Sequence, residues 1–278
     1  MPVRFPDSPR GAPAAAWAAP LALAAIAAVT SCPAARAQGG GTPEKTPIVT
    51  DRPDFTESTE VVPLRRVQLE GGVTYSRTSD EKGYTLGEFL LRVNTGPRTE
   101  LRVGVNSYAL VRSPGGNAYG WEDPTLGMKV KLADGDERPG LRRPDIGLIL
   151  QTTLPVGAPA YREETLQPEA KLCLAWDLCE RVQMSSNLNY AWVSEESERF
   201  GQFSGTLSFA YALSDRVGSY LEYFGFFPGE EAGGNRSYVN GGFTYLVTDD
   251  FQLDARAGFG MNPTRPDGFF GVGASRRW

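Results

Sequence analysis

The feature that most constrains this chain is a period of two. From Val67 onward apolar and polar residues alternate in segment after segment, the mark of extended strands with one greasy face and one wet face. In the first segment Val67, Leu69, Val73 and Tyr75 share one face, while Gln68, Glu70, Thr74 and Ser76 share the other. Phe89, Leu91 and Val93 then oppose Glu88, Arg92 and Asn94, and Leu101, Val103 and Val105 oppose Glu100, Arg102 and Asn106. Leu126, Met128, Val130 and Leu132 oppose Thr125, Lys129 and Lys131, and Phe203, Leu207, Phe209 and Tyr211 oppose Gln202, Ser204, Thr206 and Ser208. The strands predicted in this way are 67–77, 84–94, 98–112, 122–132, 146–155, 169–177, 181–192, 201–213, 217–227, 237–246, 251–260 and 269–278. Two of them are ambiguous: Val217 to Phe227 mixes Tyr220, Glu222 and Phe224 on one face, and Tyr238 to Leu246 carries Gly241 and Gly242; Ile146 to Thr153 is apolar on both faces near Ile149. No segment shows the 3.6-residue period of a long amphipathic helix, which argues against an α/β architecture.

A dozen half-apolar strands have two physical homes, a two-layer soluble sandwich or a barrel whose apolar face meets lipid. Strands of roughly 9–11 residues suit a tilted crossing of a bilayer, whereas soluble strands are commonly about 5–6 residues long. Connection length is a second test, because outer-membrane barrels have short periplasmic turns and longer outer loops. With the N-terminus in the periplasm, the outer connections would be 78–83, 113–121, 156–168, 193–200, 228–236 and 261–268. The inner ones would be 95–97, 133–145, 178–180, 214–216 and 247–250, short except for 133–145. The expected fold is therefore all-β: a closed antiparallel transmembrane β-barrel of about 12 strands, which leaves no unpaired edge in lipid. Such a barrel also accommodates a mean hydropathy of −0.31, since half of every strand can face a wet lumen.

The N-terminus reads as a targeting segment. Arg4 and Arg10 precede the apolar stretch Ala14–Val29, and Ala35-Arg36-Ala37 forms a small-residue cleavage site, so residues 1–37 are expected to be a secretory signal peptide cut after Ala37. Val29-Thr30-Ser31-Cys32 also resembles a lipoprotein lipobox, in which Cys32 would be lipidated. Cleavage after Ala37 removes three Arg and one Asp and takes the net charge from −5 to −7, leaving no basic footprint for nucleic acid. Residues 38–66 form a polar, Pro-containing lead, and 67–278 the barrel. The expected location is the bacterial outer membrane, with lipid, a small solute and the barrel-assembly machinery as partners. Cys173 and Cys179 either pair or remain two thiols.

The chain contains no His, which removes the Ser-His-Asp hydrolases, His-containing zinc sites and His-based switches. No enzyme activity, cofactor or metal is expected. The chemistry-bearing residues instead line the wet face: Glu70, Glu88, Glu100 and Asp254 with Arg92, Arg102, Lys129, Lys131, Lys171 and Arg256. They either set a transverse field along a wet path or pair with one another and fill a narrow lumen. Asp51, Arg52 and Asp54 in the lead either belong to a linker or fold into the barrel as a partial plug. Tyr75, Trp176, Tyr190, Trp192, Tyr211 and Trp278 fall near strand ends, where aromatic rings suit a membrane interface or could stack a solute. Ser113-Pro114-Gly115-Gly116-Asn117 and 228–235 read as loop tips and Asp134-Gly135-Asp136-Glu137 as a solvated turn. Phe270, Val272 and Trp278 share a face of the last strand in the manner of an outer-membrane insertion signal, with Arg276 departing from the apolar pattern.

The stretches Thr50-Asp51-Arg52-Pro53-Asp54-Phe55-Thr56-Glu57-Ser58, Val67-Gln68-Leu69-Glu70-Gly71-Gly72 and Trp121-Glu122-Asp123-Pro124-Thr125-Leu126-Gly127-Met128-Lys129 carry a resemblance, joined by Thr153-Leu154-Pro155-Val156-Gly157, Asn240-Gly241-Gly242-Phe243-Thr244-Tyr245 and Phe270-Gly271-Val272-Gly273-Ala274-Ser275. In these the chain resembles the meta-pathway phenol-degradation family of outer-membrane proteins, often labelled simply "transporter". The resemblance implies a barrel that moves small, aromatic or apolar molecules across the outer membrane, and it brings no catalytic residue.

Overall fold

The computed structural model describes residues 46–195, 198–228, 234–261 and 267–278. The expected signal peptide, its cleavage site and Cys32 lie outside the described residues. Every regular element among those described is a strand: β1 Val67–Arg77, β2 Lys82–Gly96, β3 Thr99–Ser113, β4 Gly116–Trp121, β5 Thr125–Ala133, β6 Asp145–Thr153 and β7 Gln167–Cys179. The series continues with β8 Val182–Glu195, β9 Glu198–Ala212, β10 Val217–Pro228, β11 Arg236–Thr248, β12 Phe251–Gly260 and β13 Gly268–Arg277.

Each strand pairs antiparallel with its neighbours, β1 pairs with both β2 and β13, and a β2–β3 pairing closes the ring. Strands β4 and β5 both pair with β3, β4 along its far half and β5 along its near half, so together they occupy one position in a closed 12-strand barrel. Closure gives every strand but β4 a partner on both sides, the condition for crossing lipid with strands, and β4 pairs with β3 alone.

The alternation sets the faces. Leu86, Val105, Leu126, Leu150, Phe243 and Phe259 point outward and are each 46–60% exposed, an apolar belt that only lipid can satisfy. Gln68, Glu70, Arg92, Glu100, Lys129 and Asn187 point inward and are at most 1% exposed. The lumen is thus packed with polar side chains and is not an open bore.

One local device reverses the parity. Leu86 faces outward, yet two residues on Glu88 faces the lumen, because Gly87 (φ 114°) and Glu88 (φ 44°) form a bulge between Leu86 and Phe89. A bulge inserts a residue and so exchanges the two faces of the strand. Asn106 (φ 61°) answers it on β3, and beyond it Tyr108 points outward beside Trp121, rings edge to face at 5.6 Å.

Three sequence expectations need correction. Residues 113–121 are not a loop: the chain turns at Pro114-Gly115 and returns as β4, and Glu122-Asp123-Pro124 separates β4 from β5. The outer connections are accordingly not all long, since 78–81 and 114–115 are tight while 154–166 is a long described one. Cys173 is a buried free thiol. It and Cys179 lie on one strand six residues apart, roughly 20 Å at about 3.3 Å per residue, well beyond the reach of a disulfide.

Candidate functional site

The lead enters the barrel and lies along its inner wall, fastened chiefly through its backbone. Glu70 on β1 accepts from the N–H groups of Asp51 (3.0 Å) and Arg52 (3.0 Å), and Glu222 on β10 accepts from Phe55 (2.9 Å) and Thr56 (2.6 Å). Glu100 on β3 accepts from Val62 N–H at 2.7 Å, and Gln68 and Arg92 donate to the carbonyl of Val49 at 2.9 and 3.2 Å. A segment with no secondary structure of its own needs such partners when it is buried.

Asp51 is the hub of the charge network. Its carboxylate meets Arg102 Nη1 at 2.5 Å, Lys129 Nζ at 3.0 Å and Arg92 Nη1 at 3.3 Å, and it accepts from the N–H and hydroxyl of Ser58 at 2.8 Å. Arg92 also spans Glu70 (3.0 Å) and Glu100 (2.9 Å). Arg102 Nη2 and Lys171 Nζ share Glu57 at 2.9 and 2.8 Å. Lys131 holds Glu60 at 2.6 Å.

Arg52 reaches across the barrel. Its guanidinium pairs with Glu88 on β2 and, at 3.2 Å, with Asp254 on β12, while Arg256 meets Glu88 at 3.2 Å and donates to the Pro53 carbonyl at 3.1 Å. The room for Arg52 comes from glycine. Gly72 and Gly273 are register partners on β1 and β13, and a Cβ on either would collide with the Arg52 guanidinium. Gly147 likewise leaves space for the backbone of Thr59.

All ten residues expected on the wet face therefore point inward, and all but Lys131 are joined with Asp51 or Arg52 in networks that the lead completes. Sequence reasoning missed their partners Glu57 and Glu60, and it missed the inward Glu222, which holds the lead's backbone. Glu57 lies inside the block Thr50–Ser58 that was already singled out, so that block was the available signal. For Glu222 the signal was register: it faces Ser208 on β9 and Asn240 on β11, both polar and inward.

That same side of the lumen is aromatic. Phe55 of the lead stacks on Phe224 at 4.7 Å, Phe224 stacks on Tyr238 at 5.0 Å, and Phe226 meets Phe55 edge-on at 5.5 Å. The mixed face of 217–227 that looked ambiguous is this inner wall.

At the outer end, Asp123 between β4 and β5 holds the long connection 154–166. Its carboxylate accepts from Gly157 N–H and Glu163 N–H, both at 2.6 Å, and Ala158 N–H donates to the Trp121 carbonyl at 2.8 Å. Asp123→Ala is expected to release this loop at a cost of about 2–4 kcal/mol, two charge-assisted bonds at about 1.5–3 kcal/mol each less what water regains. Trypsin cleavage after Arg162 should then accelerate on intact vesicles, and an unchanged rate would refute the clamp.

Asp134 at the inner end pairs with Arg98 and, at 3.2 Å, with Lys131, and those two hydrogen bonds hold its carboxyl below the usual range. Tyr190, Trp192 and Trp278 are about half exposed, and Arg276 lies over the Trp278 ring at 5.6 Å, so the charge that departs from the outer apolar pattern rests on an aromatic face. Trp176 donates to the Arg142 carbonyl at 3.0 Å.

Comparison with known proteins follows this geometry. A family model described as "Putative MetA-pathway of phenol degradation" matches residues 50–278. No curated protein matches the chain. Among solved structures, an outer membrane channel from Pseudomonas putida F1 superposes with a TM-score of 0.61 at 16% identity, covering 79% of this chain and 98% of that one. The NanC porin gives 0.54 at 9% identity over 75% and 98%. The translocator domain of the autotransporter NalP from Neisseria meningitidis gives 0.51 at 11% over 76% and 88%. At these identities the likeness is one of fold.

Proposed function

Because the chain belongs to the family described as "Putative MetA-pathway of phenol degradation", we propose that it is an outer-membrane channel for small molecules, aromatic or apolar ones among them. The observation that carries this reading is a closed barrel with a lipid-facing belt outside and a polar lumen with one aromatic wall inside. Rings 4.7–5.0 Å apart offer a solute offset stacking without a fixed hydrogen-bond code, which suits passage better than tight capture. Its partners are then lipid and solute, and its work is non-catalytic.

In this reading residues 38–66 serve as a plug, with Asp51, Arg52 and Asp54 among its anchors, and the ten wet-face charges line and seal the path around it. The test is solute flux into proteoliposomes carrying the full chain, across a panel of aromatic and aliphatic molecules. Flux of small aromatics above protein-free vesicles is expected, and none for any solute would refute a channel. The density of buried ion pairs favours a second reading, a sealed structural barrel, and absence of flux would support it.

Phe270, Val272 and Trp278 share the outer face of β13 and stand 40–54% exposed, where assembly machinery could engage them. Removing Trp278 should lower the yield of membrane-inserted protein in cells while leaving refolding in detergent intact. Equal yield would exclude this role.

A further inference from the structure

We propose that the lumen contains a binding site for small organic cations, an arylalkylammonium by its chemistry, formed by Asp54, Glu222, Tyr220 and Asn240 against the rings of Phe224 and Tyr238. The inference deepens the channel reading and relies on it only for access to the site.

The two sides of the lumen treat carboxylates differently. Around Asp51, each acidic group has an Arg or Lys partner, as Glu70 has Arg92 and Glu57 has Lys171. On the β9–β11 side Glu222 is 0% exposed and accepts only neutral donors: the N–H groups of Phe55 and Thr56, the Thr56 hydroxyl at 2.6 Å and Asn240 Nδ2 at 2.6 Å. Asp54 accepts from the Ser208 hydroxyl at 3.1 Å and lies within electrostatic reach of Glu222. Neither forms an ion pair among the described residues. Arg256, which acts on this corner, has its Nη atoms taken by Glu88, Thr74 and the Pro53 carbonyl. Two carboxylates held near one another without a cation are costly.

Two further side chains point to what is missing. The Tyr220 hydroxyl, on a residue 7% exposed, has no partner, and Tyr220 stands two residues before Glu222 on the same inner face of β10. Asn240 is 3% exposed, and its Oδ1 is unpartnered while its nitrogen serves Glu222. Glu222 already accepts four bonds and contributes its charge, so the open valences are those of the Asp54 carboxylate, the Asn240 amide oxygen and the Tyr220 hydroxyl. An ammonium group supplies donors, no acceptor and a positive charge, which fits this set; an anion could accept only from the Tyr220 hydroxyl and would face two carboxylates. The adjacent Phe224–Tyr238 stack gives a face for a cation or for the ring that carries it. Asp54 is the one member of the set that is not buried, so access from the lumen would run past it.

The experiment is titration calorimetry of the full chain, refolded in detergent micelles, with phenethylammonium chloride, phenylacetate and benzyl alcohol. Saturable binding of phenethylammonium and none of phenylacetate is expected. Glu222→Gln should weaken binding about tenfold or more, the size of one lost charge-assisted contact. Tyr220→Phe, which deletes a single hydroxyl, should weaken it several-fold and carries the test if Glu222→Gln does not fold by heat-modifiable migration. No binding by wild type, as when water alone fills the site, overturns the proposal, and so does binding unchanged in Tyr220→Phe. Binding without vesicle flux would leave the site standing and refute the channel; flux without binding would do the reverse.

Discussion

Deleting residues 38–60 is expected to raise single-channel conductance several-fold and to turn the lumen toward anions. The described part of this segment, residues 46–60, lies in the lumen, and its removal opens the cross-section it occupies. It also shifts charge. Among the described residues, the deletion takes away Asp51, Asp54, Glu57 and Glu60 but only one cation, Arg52. Arg92, Arg102, Lys129 and Lys171 then lose partners while remaining on the wall, so the interior becomes net more positive and attracts anions. Planar-bilayer recordings in a salt gradient read both effects at once. Conductance and reversal potential unchanged from the full chain would show that the lead does not obstruct the path.

Asp51→Ala should have the largest effect of any single substitution. It strips one acceptor from three buried cations, Arg92, Arg102 and Lys129, and from Ser58. Breaking a buried pair by removing one member typically costs about 3–5 kcal/mol because the surviving charge is left uncompensated. Here Glu100 and Glu57 remain nearby for Arg102, but Lys129 keeps a single carboxylate, Glu100 at 3.9 Å, beside neutral contacts with the Ser58 hydroxyl and the Glu60 carbonyl, and should be the principal loser. Adding Lys129→Met to Asp51→Ala should therefore recover part of the loss, a non-additivity that a double-mutant cycle measures. The readouts are the urea midpoint and protease release of the lead. A midpoint within error of wild type for Asp51→Ala would mean that Asp51 does not anchor the lead.

The legible and illegible parts of this fold separate on physical grounds. On β1, the first half of β3 and β5 the alternation is strict, and Glu70, Glu100, Arg102 and Lys129 were placed on the inner face by parity alone. Parity fails where the backbone inserts a residue: nothing in Tyr84-Thr85-Leu86-Gly87-Glu88 reveals that Gly87 and Glu88 take positive φ and exchange the faces. The hairpin turning at Pro114-Gly115 was hidden for a related reason, since the turn residues read equally well as the tip of a longer loop, and Gly116–Trp121 is short and only weakly alternating. The site was half visible. Asp51, Arg52 and Asp54 stood out as charges in a Pro-containing lead, yet their partners come from strands far apart in sequence, as Arg52 and Asp254 do, and only closure brings them together.

That closure gives Arg52 a role in time as well as in space. Its slot is bounded by Gly72 on the first strand and Gly273 on the last, and its two carboxylates come from β2 and β12. Each hairpin assembles half of this slot on its own, Gly72 beside Glu88 and Asp254 opposite Gly273, but the halves meet only when the final strand zips against the first. An unfinished barrel offers this arginine half a seat, so the lead settles fully only once the seam is complete, and a protease-resistant lead becomes a marker that assembly has ended.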